Sequence, residues 1–288
     1  MALITRAAKY SDLFEWQLYN AAAVGMGLTG ENYLYNNPLT CRGGITRKAW
    51  YAVPCCPSNL SRTWADLGKY IYSTDQYAVW IHQYIGSQAK LNPGGAVDIT
   101  IESELPWNGQ VLIKVNPSAR LEFTLYLRLP SWSAKPPTIT VWEGKDAHQI
   151  RMDHPNTTCE STAQGYDPRQ SVFLPLQRLW SPGEVIELAF EMPITLRRAH
   201  PRVKRHQNKA ALTRGPLVYC LESVDNPGVD IFSARLESTT LHAEYAADLL
   251  GGITLLSGQT TDGATLTFIP YHLWANRGES QMTVWVNV

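Results

Sequence analysis

The chain has 288 residues, a length typical of two or three domains. Hydrophobic residues make up 44% and charged residues 17%, so the chain is globular with fewer charges than average. Lysine plus arginine and aspartate plus glutamate both number 25, so the formal net charge is zero, which argues against a polyanion binder such as a nucleic-acid-binding protein. No apolar run approaches the roughly 18–20 residues of a membrane span. Lys9, Asp12 and Glu15 interrupt the region where a signal peptide would be apolar. We therefore expect a soluble cytoplasmic protein with no nucleic-acid or membrane partner.

The cysteines favour a reducing compartment. Their number is odd and their spacing irregular, whereas a disulfide framework needs an even count in a short secreted chain. We expect most thiols to be free. The five cysteines are Cys41, Cys55, Cys56, Cys159 and Cys220.

The first 72 residues have helical periodicity. Asp12 and Glu15 have the spacing of a capping box, and the apolar residues that follow predict a helix to about residue 23. A glycine-rich connection over 25–54 leads to a second helix that we expect to begin near Pro57. The apolar faces of the two helices need a covering surface, which could be the rest of the chain, a second copy or further helices of a larger domain. These faces carry Phe14, Leu18, Trp64 and Leu67.

After residue 72 the hydrophobic period changes to two. Apolar and polar residues alternate along 121–129, which is typical of a strand with one buried face. Further strands are predicted at 77–85, 97–101, 111–115, 138–141, 185–190, 217–221, 265–269 and 282–288. We predict a mainly β fold with antiparallel β-sandwich domains at 73–195 and 196–288, preceded by the helical segment 1–72. The basic stretch 197–209 is interpreted as a solvated loop joining two strands rather than a phosphate site.

The strongest candidate for chemistry is the pair Cys55 and Cys56, directly before the second helix. Unpaired backbone N–H groups and the helix dipole at such a position stabilise a thiolate, which can act as a nucleophile or metal ligand. The alternative interpretation is that both are small buried hydrophobic residues. Cys41 could add a third sulfur, but its separation from Cys55 matches no standard zinc-finger spacing.

Other candidate sites are weaker. Glu102 and Glu104 share one strand face and could be paired carboxylates for acid–base catalysis, although a solvent-exposed face explains them better. The seven histidines show no metal-binding pattern.

Several motifs, in one order along the chain, resemble the β-L-arabinofuranosidases of glycoside hydrolase family 127, formerly domain of unknown function 1680. The motifs are KYSDLFEWQLYN at 9–20, YNNP at 35–38, WYAVPCCPSN at 50–59, LGKYIYS at 67–73, ESELPW at 102–107, LRLPSW at 127–132, TRGPLVYCLE at 213–222, LLGG at 249–252 and IPYHLWANRG at 269–278.

This resemblance implies an (α/α)6 barrel that carries the active site, followed by two β-sandwich domains. By resemblance, residues 1–72 correspond to the end of that barrel, Cys55 is the nucleophile, and Cys55 and Cys56 are zinc ligands. The family's other ligands, a glutamate and a third cysteine, and its acid/base glutamate correspond to positions upstream of Met1. We therefore expect this chain to hold zinc weakly and to lack hydrolysis of arabinofuranosides on its own.

Two hypotheses follow. In the first, the chain is the C-terminal part of a retaining, zinc-dependent cysteine glycosidase that acts on arabinofuranosyl or related oligosaccharides. Its partner would be the missing N-terminal portion of the barrel or a second copy in a homodimer. In the second, the chain is a non-catalytic β-sandwich module for carbohydrate binding or subunit assembly.

Overall fold

The computed structural model describes residues 1–150 and 170–288, so the predicted free thiol Cys159 lies outside the described residues. Three α-helices lie within the first 65 residues: α1 (Ala2–Thr5), α2 (Ala8–Gln17) and α3 (Cys55–Ala65). In these two stretches of chain, no helix is both long and apolar enough to cross a membrane. The predicted mainly β fold with antiparallel sheets and a short helical N-terminal segment is confirmed.

The described strands are β1 (Thr40–Cys41), β2 (Tyr72–Thr74), β3 (Ala78–Ile81), β4 (Ser87–Leu91), β5 (Val97–Ser103), β6 (Gln110–Pro117), β7 (Leu121–Leu129), β8 (Thr138–Glu143), β9 (Asp146–Ile150), β10 (Val172–Trp180), β11 (Glu184–Ala189), β12 (Ile194–Arg198), β13 (Lys209–Arg214), β14 (Leu217–Glu222), β15 (Leu236–Ala246), β16 (Ile253–Thr260), β17 (Thr265–Pro270), β18 (Met282–Thr283) and β19 (Val286–Asn287).

The chain forms two compact units, and each takes part of the N-terminal 72 residues. The first unit comprises 1–15 and 65–192, and the second comprises 16–64 and 193–288. The predicted domain limits at residues 72 and 195 stay predictions.

The first unit is built on two sheets. A six-stranded sheet has the order β4-β5-β6-β11-β8-β9, and a four-stranded sheet has the order β10-β7-β3-β2. All these strand pairs are antiparallel except β3 with β7, which run parallel. Alternate residues of both sheets join one apolar core, as the period-two pattern predicts. The core includes Ile99, Ile101, Ile113, Ile186 and Leu188 from the larger sheet and Val79, Ile81, Leu125, Leu127 and Leu174 from the smaller one.

The expected capping box at Asp12 and Glu15 is wrong. The helix begins at Ala8, four residues earlier, and both carboxylates point to a fully buried Arg128 on β7. Arg128 donates to Asp12 over 2.5 Å and to Glu15 over 2.6 Å. The two acids are three positions apart, so they share one helix face. A buried guanidinium satisfies both carboxylates with charged hydrogen bonds, whereas the N–H groups inside a helix are already bonded to its own carbonyls.

Helix α2 also contacts a buried histidine of the first unit. The ring of His82 lies between the hydroxyls of Ser11 and Ser73, at 2.8 and 2.7 Å. Burial, assisted by the positive charge of Arg128, lowers the pKa of His82 to about 4. The folded protein therefore keeps this ring neutral at physiological pH.

We expect acid to destabilise the first unit through His82. Because the folded pKa is depressed below the unfolded value, the unfolded chain binds the extra proton once the pH falls below 6.5. Stability is retained above that pH and lost as the pH falls toward 4. Between pH 6.5 and 5 the free energy of unfolding should fall by about 2 kcal/mol, because each pH unit in this range contributes about 1.4 kcal/mol. Urea denaturation of the wild type and His82→Gln tests this.

The difference between the two proteins should shrink as the pH falls, because the glutamine does not titrate. His242→Gln, at an exposed position, is the matched control. A parallel pH dependence in wild type and His82→Gln would contradict the role of His82.

The second unit contains a nine-stranded sheet. Its main path is β1-β18-β14-β17-β16-β15, and β13 joins β14 to β12 and β19. The residues after α2 pack on this sheet: the turn Leu18–Ala22 contacts β14, and Leu18 is buried. The side chain of Asn20 donates to the carbonyl of Pro216 and accepts from the N–H of Val218, each over 2.7 Å. In this unit the predicted apolar face around Leu18 is therefore covered by the chain itself.

Candidate active site

Helix α3 of the second unit begins at Cys55, so the prediction that the cysteine pair lies at a helix start is confirmed. The helix begins two residues before Pro57, which occupies its third position. Proline is tolerated there because the first N–H groups of a helix have no carbonyl partner within the helix. The hydroxyl of Ser58 donates to the carbonyl of Pro54 over 2.7 Å and so fixes the first turn.

Both sulfur atoms are accessible and close together. Cys55 and Cys56 are exposed, and their Sγ atoms lie 3.7 Å apart. The alternative interpretation, a pair of buried hydrophobic residues, is therefore wrong. An exposed thiol in the first turn of a helix is a position at which thiolates react and bind metals.

A tyrosine that the sequence analysis did not identify contacts the first sulfur. The hydroxyl of Tyr35 lies 3.2 Å from Cys55 Sγ. Tyr35 is held by Tyr51, whose hydroxyl accepts from the Tyr35 N–H and donates to the carbonyl of Tyr33, each over 3.1 Å. Tyr33 in turn exchanges two backbone hydrogen bonds with Lys48. These four hydrogen bonds hold the backbone at Tyr35, the residue whose phenol contacts the sulfur.

The contact changes the acidity of both groups. The hydrogen bond with Tyr35, followed by that with Cys56, lowers the pKa of Cys55. The same bond to Cys55 raises the pKa of Tyr35 to about 12. The phenol therefore keeps its proton and can donate it in a hydrogen bond to the Cys55 thiolate.

An open groove lies beside the pair. It has a volume of about 340 Å³ and is lined by Leu34, Tyr35, Asn37, Cys56, Asn59 and Thr63, among others. Amide, phenol and hydroxyl groups of this kind supply the donors and acceptors that sugar hydroxyls need, while two leucines, a proline and two alanines offer an apolar surface. The residues that line the groove include no aspartate or glutamate.

The cysteine pair can supply half of a metal site. Two thiolates on one tetrahedral zinc, with Zn–S bonds of about 2.3 Å, lie about 3.8 Å apart. The observed separation of 3.7 Å therefore fits this donor set. Within 1–150 and 170–288, no three histidine, cysteine or acidic side chains cluster closely enough to hold a metal. Cys41 is buried on β1, and its Sγ contacts the carbonyl of Gly43 at 3.5 Å.

The paired carboxylates considered from sequence do not form such a site. Glu102 and Glu104 are both exposed in the first unit, and Glu102 pairs with Lys114 on the neighbouring strand. This agrees with the interpretation as a solvent-exposed face.

Three family models match the chain in order. Residues 1–69 match the catalytic domain of the β-L-arabinofuranosidases of glycoside hydrolase family 127, residues 78–192 match the family's middle domain, and residues 194–287 match its C-terminal domain. The matched regions cover nearly the whole chain.

Individual relatives agree with the family models. A non-reducing end β-L-arabinofuranosidase of Bifidobacterium longum subsp. longum is 31% identical over 321 aligned residues, which cover 96% of this chain and 45% of that protein. The solved structure of a family 127 β-L-arabinofuranosidase from Geobacillus stearothermophilus has a TM-score of 0.82 at 32% identity, covering 99% of this chain and 47% of that one. A second solved structure, a family 127 β-arabinofuranosidase, has a TM-score of 0.83 at 28% identity, and the match covers 100% of this chain and 47% of that one. The chain spans about half the length of these relatives.

Proposed function

Because the chain belongs to glycoside hydrolase family 127, we propose that it is part of a retaining glycosidase that removes β-L-arabinofuranosyl groups, with Cys55 as the nucleophile. The observation that carries the proposal is the exposed Cys55 at a helix start, with its sulfur hydrogen-bonded to Tyr35 beside an open groove. The names of the relatives support the arabinofuranosyl substrate.

In the proposed reaction, the Cys55 thiolate attacks the anomeric carbon of the sugar. A C–S bond forms and the glycosidic C–O bond breaks, while a carboxylic acid gives its proton to the leaving oxygen. Water then attacks the same carbon, its proton passes to the carboxylate, and the sulfur leaves as thiolate, so that two inversions give net retention. Tyr35 would orient the sulfur and stabilise its negative charge.

We further propose that Cys55 and Cys56 are two ligands of a zinc ion. Bound zinc would keep both thiols deprotonated at neutral pH. The short distance between the two sulfurs supports this assignment, and the site needs further donors because structural zinc sites use four.

We expect this chain to hold zinc weakly. Two thiolates supply half of the donors of a tetrahedral site, so zinc should be substoichiometric after mild chelation. Elemental analysis of the wild type and of Cys56→Ser measures this, and the variant should hold still less. One tightly held zinc per chain would contradict the expectation and would indicate a further ligand such as Cys41.

An activated substrate tests the nucleophile separately from the acid. Dinitrophenolate is a good leaving group that departs without protonation, so dinitrophenyl β-L-arabinofuranoside needs only the attacking sulfur. We expect one equivalent of dinitrophenolate and a gain of one anhydropentose on the peptide that contains Cys55. Mass spectrometry of the digested protein identifies the modified residue.

Cys55→Ser should lose the adduct, whereas Arg62→Gln, at an exposed position of the same helix, should keep it. An unmodified Cys55 after full exposure to the substrate would contradict the nucleophile assignment. Retention of the chain on immobilised arabinan without any adduct would favour the second hypothesis, a non-catalytic carbohydrate-binding module.

A further inference from the structure

A basic hairpin stands out on the second unit. Strands β12 and β13 pair along Ile194–Arg198, and the chain between them is exposed. Between residues 197 and 209 there are six lysines and arginines and no aspartate or glutamate. We call residues 197–209 the basic hairpin. The cations are Arg197, Arg198, Arg202, Lys204, Arg205 and Lys209.

The tip of the basic hairpin has a defined conformation. The backbone N–H of Val203 donates to the carbonyl of His200 over 2.8 Å, and that of His206 donates to Val203 over 3.0 Å. The ring of His206 stacks on Trp285, with 4.4 Å between ring centres and 17° between planes. The exposed side chains of the tip, at 202, 204 and 205, are therefore displayed from an anchored turn.

The positive charge of the hairpin is not neutralised locally. Within the described part of the chain, none of its lysines or arginines forms an ion pair, although cations elsewhere, such as Arg277 and Lys114, do. The zero net charge that argued against a polyanion partner is an average over the whole sequence. Six cations within thirteen residues, none of them in an ion pair in the described part of the chain, produce a local positive potential.

We propose that the basic hairpin binds a carboxylate-bearing polysaccharide, namely a glycan chain rich in uronic acids. Four of its six cations are arginines, and the planar guanidinium fork matches the geometry of a carboxylate with two parallel hydrogen bonds. The choice of a glycan among polyanions rests on the family membership and the proposed carbohydrate substrate. The binding itself does not depend on the chemistry of Cys55.

Affinity electrophoresis in gels that contain polygalacturonate tests the proposal. We expect the wild-type chain to be retarded at low salt, and its affinity to fall about tenfold or more between 50 and 200 mM salt because contacts of this kind release counterions. The variant Arg202→Gln/Lys204→Gln/Arg205→Gln should lose about tenfold in affinity, since each exposed ion pair contributes modestly. Fully methyl-esterified polygalacturonate, which has the same backbone without charge, should not retard the chain.

A matched control separates the hairpin from general electrostatics. Lys90→Gln/Arg120→Gln/Lys145→Gln removes the same charge at exposed positions of the first unit and should bind like the wild type. Equal losses in both triple variants, or no retardation of the wild type, would overturn the proposal. Tighter binding to a DNA duplex or to anionic vesicles than to polygalacturonate would overturn the choice of a glycan. Cys55→Ser should bind normally, so a failure of the proposed nucleophile leaves this result unaffected.

Discussion

Arg128→Met should destabilise the first unit by about 3–5 kcal/mol, because removing one partner of a buried ion cluster leaves the others buried and uncompensated. Arg128 is fully buried and pairs with Asp12 and Glu15. These carboxylates also accept from Ser131 and from the indole N–H of Trp132. The methionine side chain fills the space of the arginine's aliphatic stem. The decrease in the free energy of unfolding is therefore due to the missing charge rather than to a cavity.

The measurement is the free energy of unfolding from urea titrations at pH 7. Lys114→Met, which removes an exposed ion pair with Glu102, is the control and should cost less than about 1 kcal/mol. Adding Asp12→Asn and Glu15→Gln to Arg128→Met should recover part of the loss, because the buried negative charges are then absent. A cost for Arg128→Met as small as that of Lys114→Met would show that the cluster does not hold α2 on the sheet.

In the first unit the sequence predicts the central strands well and the edge strands poorly. Strands β5, β6, β7 and β11 bury one face in the core of the first unit, so their apolar residues alternate visibly. Strand β10 lies at a sheet edge of the first unit and was not predicted. In the second unit β13, β15 and β16 were not predicted, although β13 and β16 lie inside the sheet. β10 contains Pro175, which an edge strand tolerates, and β15 is mostly exposed along its length. An edge strand needs little hydrophobic patterning, so its sequence resembles that of a loop.

The predicted loop at 197–209 illustrates the same limit. Arg197 and Arg198 belong to the end of β12, where they pair with Ala211 and Ala210. Their charge suggested a loop, but an edge strand can carry charged residues whose side chains reach solvent. The exposure of the segment from 200 to 205 agrees with the prediction.

The candidate site was predictable only where its residues are neighbours in sequence. The cysteine pair precedes a proline and a helical pattern, which fixes its position at a helix start. Tyr35 lies twenty residues away across a glycine-rich connection that has no periodicity. Its contact with Cys55 depends on Tyr51 and on the bridge between Tyr33 and Lys48, which sequence spacing does not reveal. The only signal was its position in the YNNP motif.

A buried carboxylate of the second unit supports the segments on either side of Tyr35. Glu222 is fully buried at the end of β14 and accepts from the Ala275 N–H over 2.9 Å, from the Ser280 hydroxyl and from Arg277 over 2.8 Å. It thereby fixes the loop from 275 to 280. That loop in turn holds residues on both sides of Tyr35: Asn276 accepts from the Leu28 N–H over 2.8 Å, and Glu279 accepts from the Gly44 N–H over 2.5 Å.

Glu222→Ala should therefore destabilise the second unit and loosen the active-site tyrosine together. Removing the carboxylate leaves the Ala275 N–H and the Ser280 hydroxyl without their acceptor, and it leaves Arg277 paired with Asp225 alone. We expect the free energy of unfolding to fall by about 3 kcal/mol or more. Urea denaturation measures the stability. Hydrogen exchange at the Tyr35 N–H, which donates to Tyr51, measures the site and should become faster.

Asp225→Ala is the matched control. It removes a carboxylate that binds the same arginine, whereas Ala275 and Ser280 donate to Glu222. The change should therefore cost less and leave exchange at Tyr35 close to that of the wild type. Exchange at Tyr35 that stays unchanged in a folded Glu222→Ala protein would contradict the link between this loop and the site. If the link holds, the nine-stranded unit positions Tyr35 for Cys55 through a buried carboxylate, which gives the C-terminal sheet a direct role in arranging the proposed nucleophile.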